Sequence, residues 1–465
     1  MRHRQTKHHL DGRRFSGCLP AALLSLIALG GCGGADDVAP TRTVMVIDDG
    51  FDTSVPALEG RVIASYTISC DAGVEAAMTM PTFADAKAAL LAEYQTADTS
   101  CRLREGIVNA PEAFPTIQQF RDRWNGMISH NARGRTVFTA AEFAQIANAM
   151  ETSEVSYHGT STSGTIAGEN PDVRLVLIQT PLDTAEGFAE AYQCQKQSDL
   201  DWAVALWTDP EVHAAYVKRP APTIDTELDQ LLAKFNIDVV NESFGDMPRA
   251  ALEELQAEND CPPVDFNAFF AARAALNDDR DAAQPASRAL LVHAAGNEGT
   301  SIDSGADASV CVRNHSDRLV VGADDLKDQR STFSNFGGCV DVYAPGENIV
   351  TPTSGGWLMP QAGTSFSSPL IARQISLLPV EGMFSVANAR DALLKSVDSQ
   401  QRVPRAAFPA SFFYDPAPDT GVRASALISG EPTVKMPSPI ARSNKGRTRP
   451  LRPGRVLHLP GKFAF

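Results

Sequence analysis

Thr43-Val44-Met45-Val46-Ile47-Asp48-Asp49-Gly50 sets four apolar residues in a row directly before two acids and a glycine. An apolar run of this length without alternation reads as a parallel strand buried on both faces. The acid that follows stands at the strand's carboxyl end, where open α/β sheets form their ligand crevices. Similar runs recur at Val173 to Ile178, Ile237 to Val240, Ala289 to Ala294 and Leu319 to Val321, separated by helical stretches. That alternation predicts an α/β fold with a mostly parallel central sheet and helices on both faces.

Three further segments carry side chains suited to chemistry. His158-Gly159-Thr160 leads into the small residues up to Gly164-Thr165-Ile166-Ala167-Gly168. Ala294-Ala295-Gly296-Asn297-Glu298-Gly299 follows one of the predicted strands. Gly363-Thr364-Ser365-Phe366-Ser367-Ser368-Pro369 opens an apolar helix running to about Leu378. Acyl transfer at a peptide bond needs a nucleophile, a base, a group that orients the base, and donors for the oxyanion. Ser365 at a helix N-terminus suits the nucleophile, His158 the general base, and Asp48 the acid that orients it. Asp49 is the alternative to Asp48; the position directly after the apolar run favours Asp48. Asn297, with the Ser365 backbone N–H, suits the oxyanion donor. Pro369 is expected in the first turn, where a missing N–H costs little.

Each segment alone also has a structural reading: an N-cap serine, a packed histidine, a turn asparagine. Together, in the order Asp, His, Ser, they resemble the subtilisin-like serine peptidase (subtilase) family, across residues 43–398. Asn241-Glu242-Ser243-Phe244-Gly245 resembles the family's substrate-binding strand. Phe333-Ser334-Asn335-Phe336-Gly337 and Tyr343-Ala344-Pro345-Gly346 resemble the stretch before the nucleophile. The resemblance implies a subtilisin-like three-layer sandwich and a serine endopeptidase acting through an acyl-enzyme. It also implies substrate contacts at Ser243, Phe244, Gly245, Ala295 and Gly296. The alternative is a catalytically silent, peptide-binding pseudoprotease. No cofactor is required; structural calcium is common in the family, and no ligands for it can be placed. The sequence departs from the family pattern in three places without removing a catalytic group: Asp49, Ser161, and Phe366-Ser367-Ser368.

The separation of Asp48 and His158 is long for the family, and residues 70–157 read as a mostly helical insertion. Phe114, Ile117, Phe120, Trp124 and Ile128 recur there at helical spacing, as packing residues. Thr139-Ala140-Ala141-Glu142 is a capping box that opens a helix to about Met150. Further insertions span Leu182 to about Pro222 and Met247 to Gln284.

The chain has 465 residues, is 43% hydrophobic and carries a net charge of −15, which argues against a nucleic-acid partner. Its N-terminus reads as a targeting segment. Arg2, Arg4, Lys7, Arg13 and Arg14 precede an apolar run from Leu19 to Leu29, too short to span a bilayer. Leu29-Gly30-Gly31-Cys32 resembles a bacterial lipobox, with Cys32 the lipidated residue after a signal of 1–31 and a tether over 32–42. That places the protein, expected as a monomer, in the cell envelope through a lipid anchor. Gly33-Gly34, with no Asp beside Cys32, favours the outer membrane of a Gram-negative cell; the alternative is secretion. The short 32–42 stretch leaves no folding propeptide expected ahead of the core.

Cys70, Cys101, Cys194, Cys261, Cys311 and Cys339 remain after Cys18 and Cys32 are set aside. An even set in an exported chain predicts disulfides. Nearest-neighbour pairing, 70–101, 194–261 and 311–339, would staple one insertion each, and no spacing suggests a metal site. Residues 399–465 are Pro-rich and turn basic, nine basic residues to one acidic after Thr420. They are expected as a disordered or loosely docked tail.

Overall fold

The computed structural model describes residues 41–70, 82–129, 138–152, 157–180, 194–244, 248–311, 316–378 and 384–414. The targeting segment with Cys32, the tether, Gly245 and the residues beyond 414 lie outside the described residues.

Among the described residues eight strands form one sheet: β1 (Thr43–Asp48), β2 (Val62–Cys70), β3 (Cys101–Glu105), β4 (Arg174–Gln179), β5 (Val239–Glu242), β6 (Leu290–Ala294), β7 (Arg318–Asp324) and β8 (Val342–Pro345). Their order is β3-β2-β4-β1-β5-β6-β7-β8. Every pairing is parallel except β2 with β3. A separate antiparallel hairpin joins β9 (Ile349–Pro352) to β10 (Leu358–Gln361). β1 lies mid-sheet, and its order reverses there: β4 flanks it on one side and β5 on the other. This is where a crevice forms at the carboxyl edge.

The helices are α1 (Phe83–Glu93), α2 (Arg121–Ser129), α3 (Ala140–Thr152), α4 (His158–Ala167), α5 (Gln197–Trp207), α6 (Pro210–Lys218), α7 (Thr223–Lys234), α8 (Arg249–Glu258), α9 (Asn267–Ala283), α10 (Thr364–Ser376) and α11 (Val386–Ser396). Because strand side chains alternate between faces, β1 feeds two cores. Val44 and Val46 join one with Ile166 of α4, Leu370 and Ile371 of α10, and Leu393 of α11. Met45 and Ile47 join the other with Ile224, Leu231 and Leu232 of α7. The expected three layers, with helices on both faces of the sheet, are therefore present.

The insertions differ from expectation in one respect. Residues 70–157 contain a strand, β3, which extends the sheet edge, as well as helices. The alternation of Arg102, Leu103 and Arg104 is too short to stand out from sequence. The Thr139 box forms as read: Glu142 N–H donates to Thr139 Oγ1 at 3.2 Å, and Thr139 N–H donates to Glu142 at 2.8 Å. The insertion aromatics are packing residues. Phe114, Ile117, Phe120, Trp124 and Ile128 cluster with Trp357 and Met359 of the hairpin. α1 packs with α5, α6 and α9 around Leu90, Trp207, Tyr216 and Leu276, so the separate insertions share one apolar cluster.

The three disulfides pair as expected: Cys70–Cys101, Cys194–Cys261 and Cys311–Cys339. The first bridges opposite residues of β2 and β3. The folded body also runs past residue 398. Val403, Phe408, Phe412 and Phe413 are buried in the main core, and Tyr414 N–H donates to Asn348 O. The basic tail thus begins after this segment.

Candidate active site

Asp48, His158, Ser365 and Asn297, far apart in the chain, all lie at the carboxyl edge of the sheet. Asp48 ends β1 and is 3% exposed. One carboxylate oxygen meets His158 Nδ1 at 2.7 Å and accepts the Asp49 N–H at 2.8 Å; the other accepts the Thr162 hydroxyl at 2.8 Å. Three polar partners fix the carboxylate in place. Thr162 lies four residues after His158, one turn along α4, so a single helix carries both the imidazole and a tether for its carboxylate partner. Sequence inspection gave Thr162 no role, although its spacing from His158 was the available signal.

α4 docks closely on the Asp48 loop. Gly159 N–H donates to Asp49 O at 2.5 Å, and Thr160 Oγ1 donates to Gly50 O at 2.9 Å. A Cβ at Gly159 would sit 2.4 Å from Asp49 O, so only glycine permits this approach. The His158 side chain is 34% exposed. Desolvation pushes its pKa down, but the charge and hydrogen bond of Asp48, with the charge of Asp49, outweigh that and hold it above its ordinary 6.5. Asp49 thus adds charge beside the pair and does not replace Asp48.

Ser365 is the second residue of α10 and half-buried, and the Phe366 ring lies 5.6 Å from the His158 ring. In this structure the Ser365 hydroxyl donates to Ser243 O at 2.9 Å instead of to the imidazole. Catalytic hydrogen bonds of unliganded sites are often made only in the substrate complex. Pro369 is the sixth residue of α10, beyond the first turn where it was expected. Lacking an N–H, it leaves the carbonyl of Ser365, four residues earlier, without its helical donor. The Ser243 hydroxyl supplies the replacement at 3.0 Å. The proline therefore stays in the helix because β5's end caps the carbonyl it orphans.

Asn297 Oδ1 accepts the Thr364 N–H at 2.8 Å and the Thr364 hydroxyl at 3.0 Å, which leaves Nδ2 as the donor end. Gly296 N–H donates to Thr364 Oγ1 at 3.1 Å. Asn335, whose role sequence did not show, braces this loop. Its Nδ2 donates to Ala295 O at 2.9 Å and to Glu298 at 2.6 Å, and its N–H donates to Gly296 O at 3.1 Å. Gly296 has φ +98°, and a Cβ there would sit 2.4 Å from Asn335 Nδ2, so the loop requires glycine.

The residues assigned to substrate contact divide. Ser243 is 3% exposed, and its hydroxyl serves α10, meeting Ser368 Oγ at 3.0 Å as well as Ser365 O. Its carbonyl is the group open to exchange. Phe244 packs against the α7-side cluster. Ala295 and Gly296 have both backbone groups engaged, Ala295 N–H with Val321 O. Among the described residues, the acidic and imidazole side chains close enough to share a metal ion are Asp48, Asp49 and His158. Calcium takes oxygen ligands, so a group built around an imidazole does not fit it.

The subtilase family model matches residues 41–412. The chain belongs to the subtilase family. A subtilisin-like protease 3 of Arthroderma benhamiae is 36% identical over 240 residues, 51% of this chain and 46% of its own length. A subtilisin-like protease of Coccidioides posadasii is 41% identical over 83 residues, 18% of this chain and 20% of its own length. The chain thus spans between a fifth and about half of the length of these subtilase relatives. A cold adapted subtilisin-like serine proteinase of known structure is 18% identical, with 81% of this chain and 89% of that chain covered and a TM-score of 0.36. Among the described residues no helix is long and apolar enough to cross a membrane.

Proposed function

We propose that this subtilase is an exported serine endopeptidase in which Asp48, His158 and Ser365 form the triad. The observation that carries the reading is the 2.7 Å contact between buried Asp48 and the Nδ1 of His158, beside a helix whose second residue is Ser365. Asp48 fixes the tautomer that leaves Nε2 free to accept a proton, and it stabilises the imidazolium that forms.

A polypeptide binds extended along the Ser243–Gly245 segment, adding a strand by main-chain hydrogen bonds. Substrate backbone takes over Ser243 O, the acceptor now used by the Ser365 hydroxyl. That exchange releases the hydroxyl to turn toward His158. Its oxygen attacks the scissile carbonyl, and His158 takes the proton and passes it to the leaving amine. Water then hydrolyses the acyl-enzyme by the same base. Asn297 Nδ2 and the Ser365 N–H at the start of α10 stabilise the oxyanion. Ala295 and Gly296 wall the cleft by van der Waals contact.

Export is supported by the basic and apolar N-terminal pattern of residues 1–31 and by three disulfides, which persist in oxidising compartments. Anchoring through Cys32 to the outer membrane rests on Leu29-Gly30-Gly31-Cys32 and Gly33-Gly34. Growth with a radiolabelled fatty acid tests it: label on wild type and none on Cys32→Ser supports the anchor, and label on neither supports secretion. Ser365→Ala tests the chemistry. It is expected to abolish hydrolysis of an unstructured protein substrate while leaving the fold intact; undiminished hydrolysis contradicts the triad. A folded wild type without activity supports the pseudoprotease alternative.

A further inference from the structure

The strands that deliver the two halves of the site share a charged contact that the chemistry above does not use. Glu242 and His293 stand opposite each other in the parallel register of β5 and β6. A Glu242 carboxylate oxygen lies 2.8 Å from His293 Nδ1, and the two side chains are 8% and 5% exposed. Val240 on β5 and Leu291 on β6 sit on the same face and pack in the α7-side apolar cluster. Central parallel strands are ordinarily apolar on both faces, so the pair is an exception. Replacing both partners of a buried polar pair by apolar groups of similar shape is often neutral or stabilising, so stability alone does not account for it.

Its position does. Glu242 directly precedes Ser243, whose carbonyl accepts the Ser365 hydroxyl and whose own hydroxyl holds the Ser365 carbonyl. His293 stands four residues before Asn297, and Ala295 and Gly296 between them are tied to Asn335 and Thr364. We propose that Glu242 and His293 are a positioning pair, setting the spacing of the carboxyl ends of β5 and β6 at which Ser243 O, Ser365 and Asn297 act together. Neither touches the reacting atoms.

The charged groups that bear on Glu242 are His293 on β6 and Arg318 on β7, while β1 places apolar Ile47 beside it. Burial disfavours the carboxylate, but His293 and Arg318 outweigh burial and hold its pKa below the ordinary 4.5. A depressed carboxylate keeps its pair above that pKa and loses it as pH falls through it. Activity then falls in two protonations on the acid side, His158 first and Glu242 after it.

The inference rests on Ser365 as the nucleophile. It is tested on the full chain by measuring kcat and KM for a chromogenic peptide between about pH 3 and pH 9, with unfolding followed by circular dichroism. The variants are Glu242→Gln and the double apolar variant Glu242→Met/His293→Ala. Wild type is expected to lose kcat/KM with a two-proton slope at the acid end, and Glu242→Gln with a one-proton slope. The double variant is expected to fold, to keep KM within about threefold and to lose about tenfold or more in kcat. A two-proton slope retained in Glu242→Gln, or a double variant with wild-type kcat, overturns the proposal. If the double variant does not fold, the Glu242→Gln slope decides. Failure of the nucleophile assignment looks different: wild type itself then shows no hydrolysis at any pH.

Discussion

Thr364 gives both its backbone N–H and its hydroxyl to the same oxygen of Asn297, at 2.8 and 3.0 Å. The residue before the proposed nucleophile Ser365 thereby aims Asn297, the proposed oxyanion donor, so the spacing between Asn297 Nδ2 and the Ser365 N–H is set from within α10. Asn297→Ala is expected to lose about 10²–10³ in kcat with little change in KM, the size of the loss on removing such a donor in subtilisin. Thr364→Val keeps the N–H contact and loses the hydroxyl, which costs about 0.5–1.5 kcal/mol of transition-state stabilisation. Steady-state kinetics on one peptide substrate check both.

Asp48 raises the His158 pKa, and the direction fixes a pH prediction. Only neutral imidazole accepts the Ser365 proton, so kcat/KM falls as pH drops through a value above 6.5. In Asp48→Asn the charge is gone, the burial cost remains, and the acid limb moves to lower pH. Its kcat is expected to fall by about 10⁴, the loss for that change in the chymotrypsin-type triad. For stability the sign is opposite to activity. A raised imidazole pKa contributes stability below the unfolded value, and that contribution is lost as pH rises through the folded one. Denaturant midpoints across this window measure it.

Thr162→Val removes one of the three donors to Asp48 and keeps the side chain's volume. The expectation is a loss of about 0.5–1.5 kcal/mol in kcat/KM, with the His158 limb displaced upward because the unsupported carboxylate is left to the imidazole. An unchanged pH profile in a folded variant contradicts a role for Thr162.

The turn of the β9–β10 hairpin is held from two sides. Gln118 and Arg121 donate to Gly355 O, Asn125 bonds Gly356 O and Leu358 N–H, and Asp52 accepts Gly355 N–H. Trp357 is wholly buried beneath them, and β10 ends four residues before Ser365. Trp357→Ala is expected to cost about 3–5 kcal/mol of stability by leaving a cavity, read as a lowered denaturant midpoint. An effect well below 1 kcal/mol contradicts the insertion's role as a brace for this hairpin.

Much of this site was legible because its residues are set by backbone demands that leave sequence marks. The apolar run before Asp48 announces a two-faced strand, and Gly159 and Gly296 stand where a Cβ would collide. The disulfide pairs followed from the placement of insertions. What escaped was set by long-range packing. β3 exists because β2 offers an edge, Asn335 braces a loop forty residues away, and the hairpin turn meets a helix more than two hundred residues earlier. Pro369 was misplaced for the same reason: its tolerance deep in α10 comes from Ser243, 125 residues before Ser368 in the chain. The glutamate at 242 read as part of a motif, and only the register of β5 with β6 sets it against His293.

The most direct measurement is labelling by a fluorophosphonate probe, with the modified peptide identified by mass spectrometry. The triad predicts a single adduct on Ser365, absent from Ser365→Ala and strongly slowed in His158→Ala. An adduct elsewhere, or none on correctly folded wild type, would contradict it.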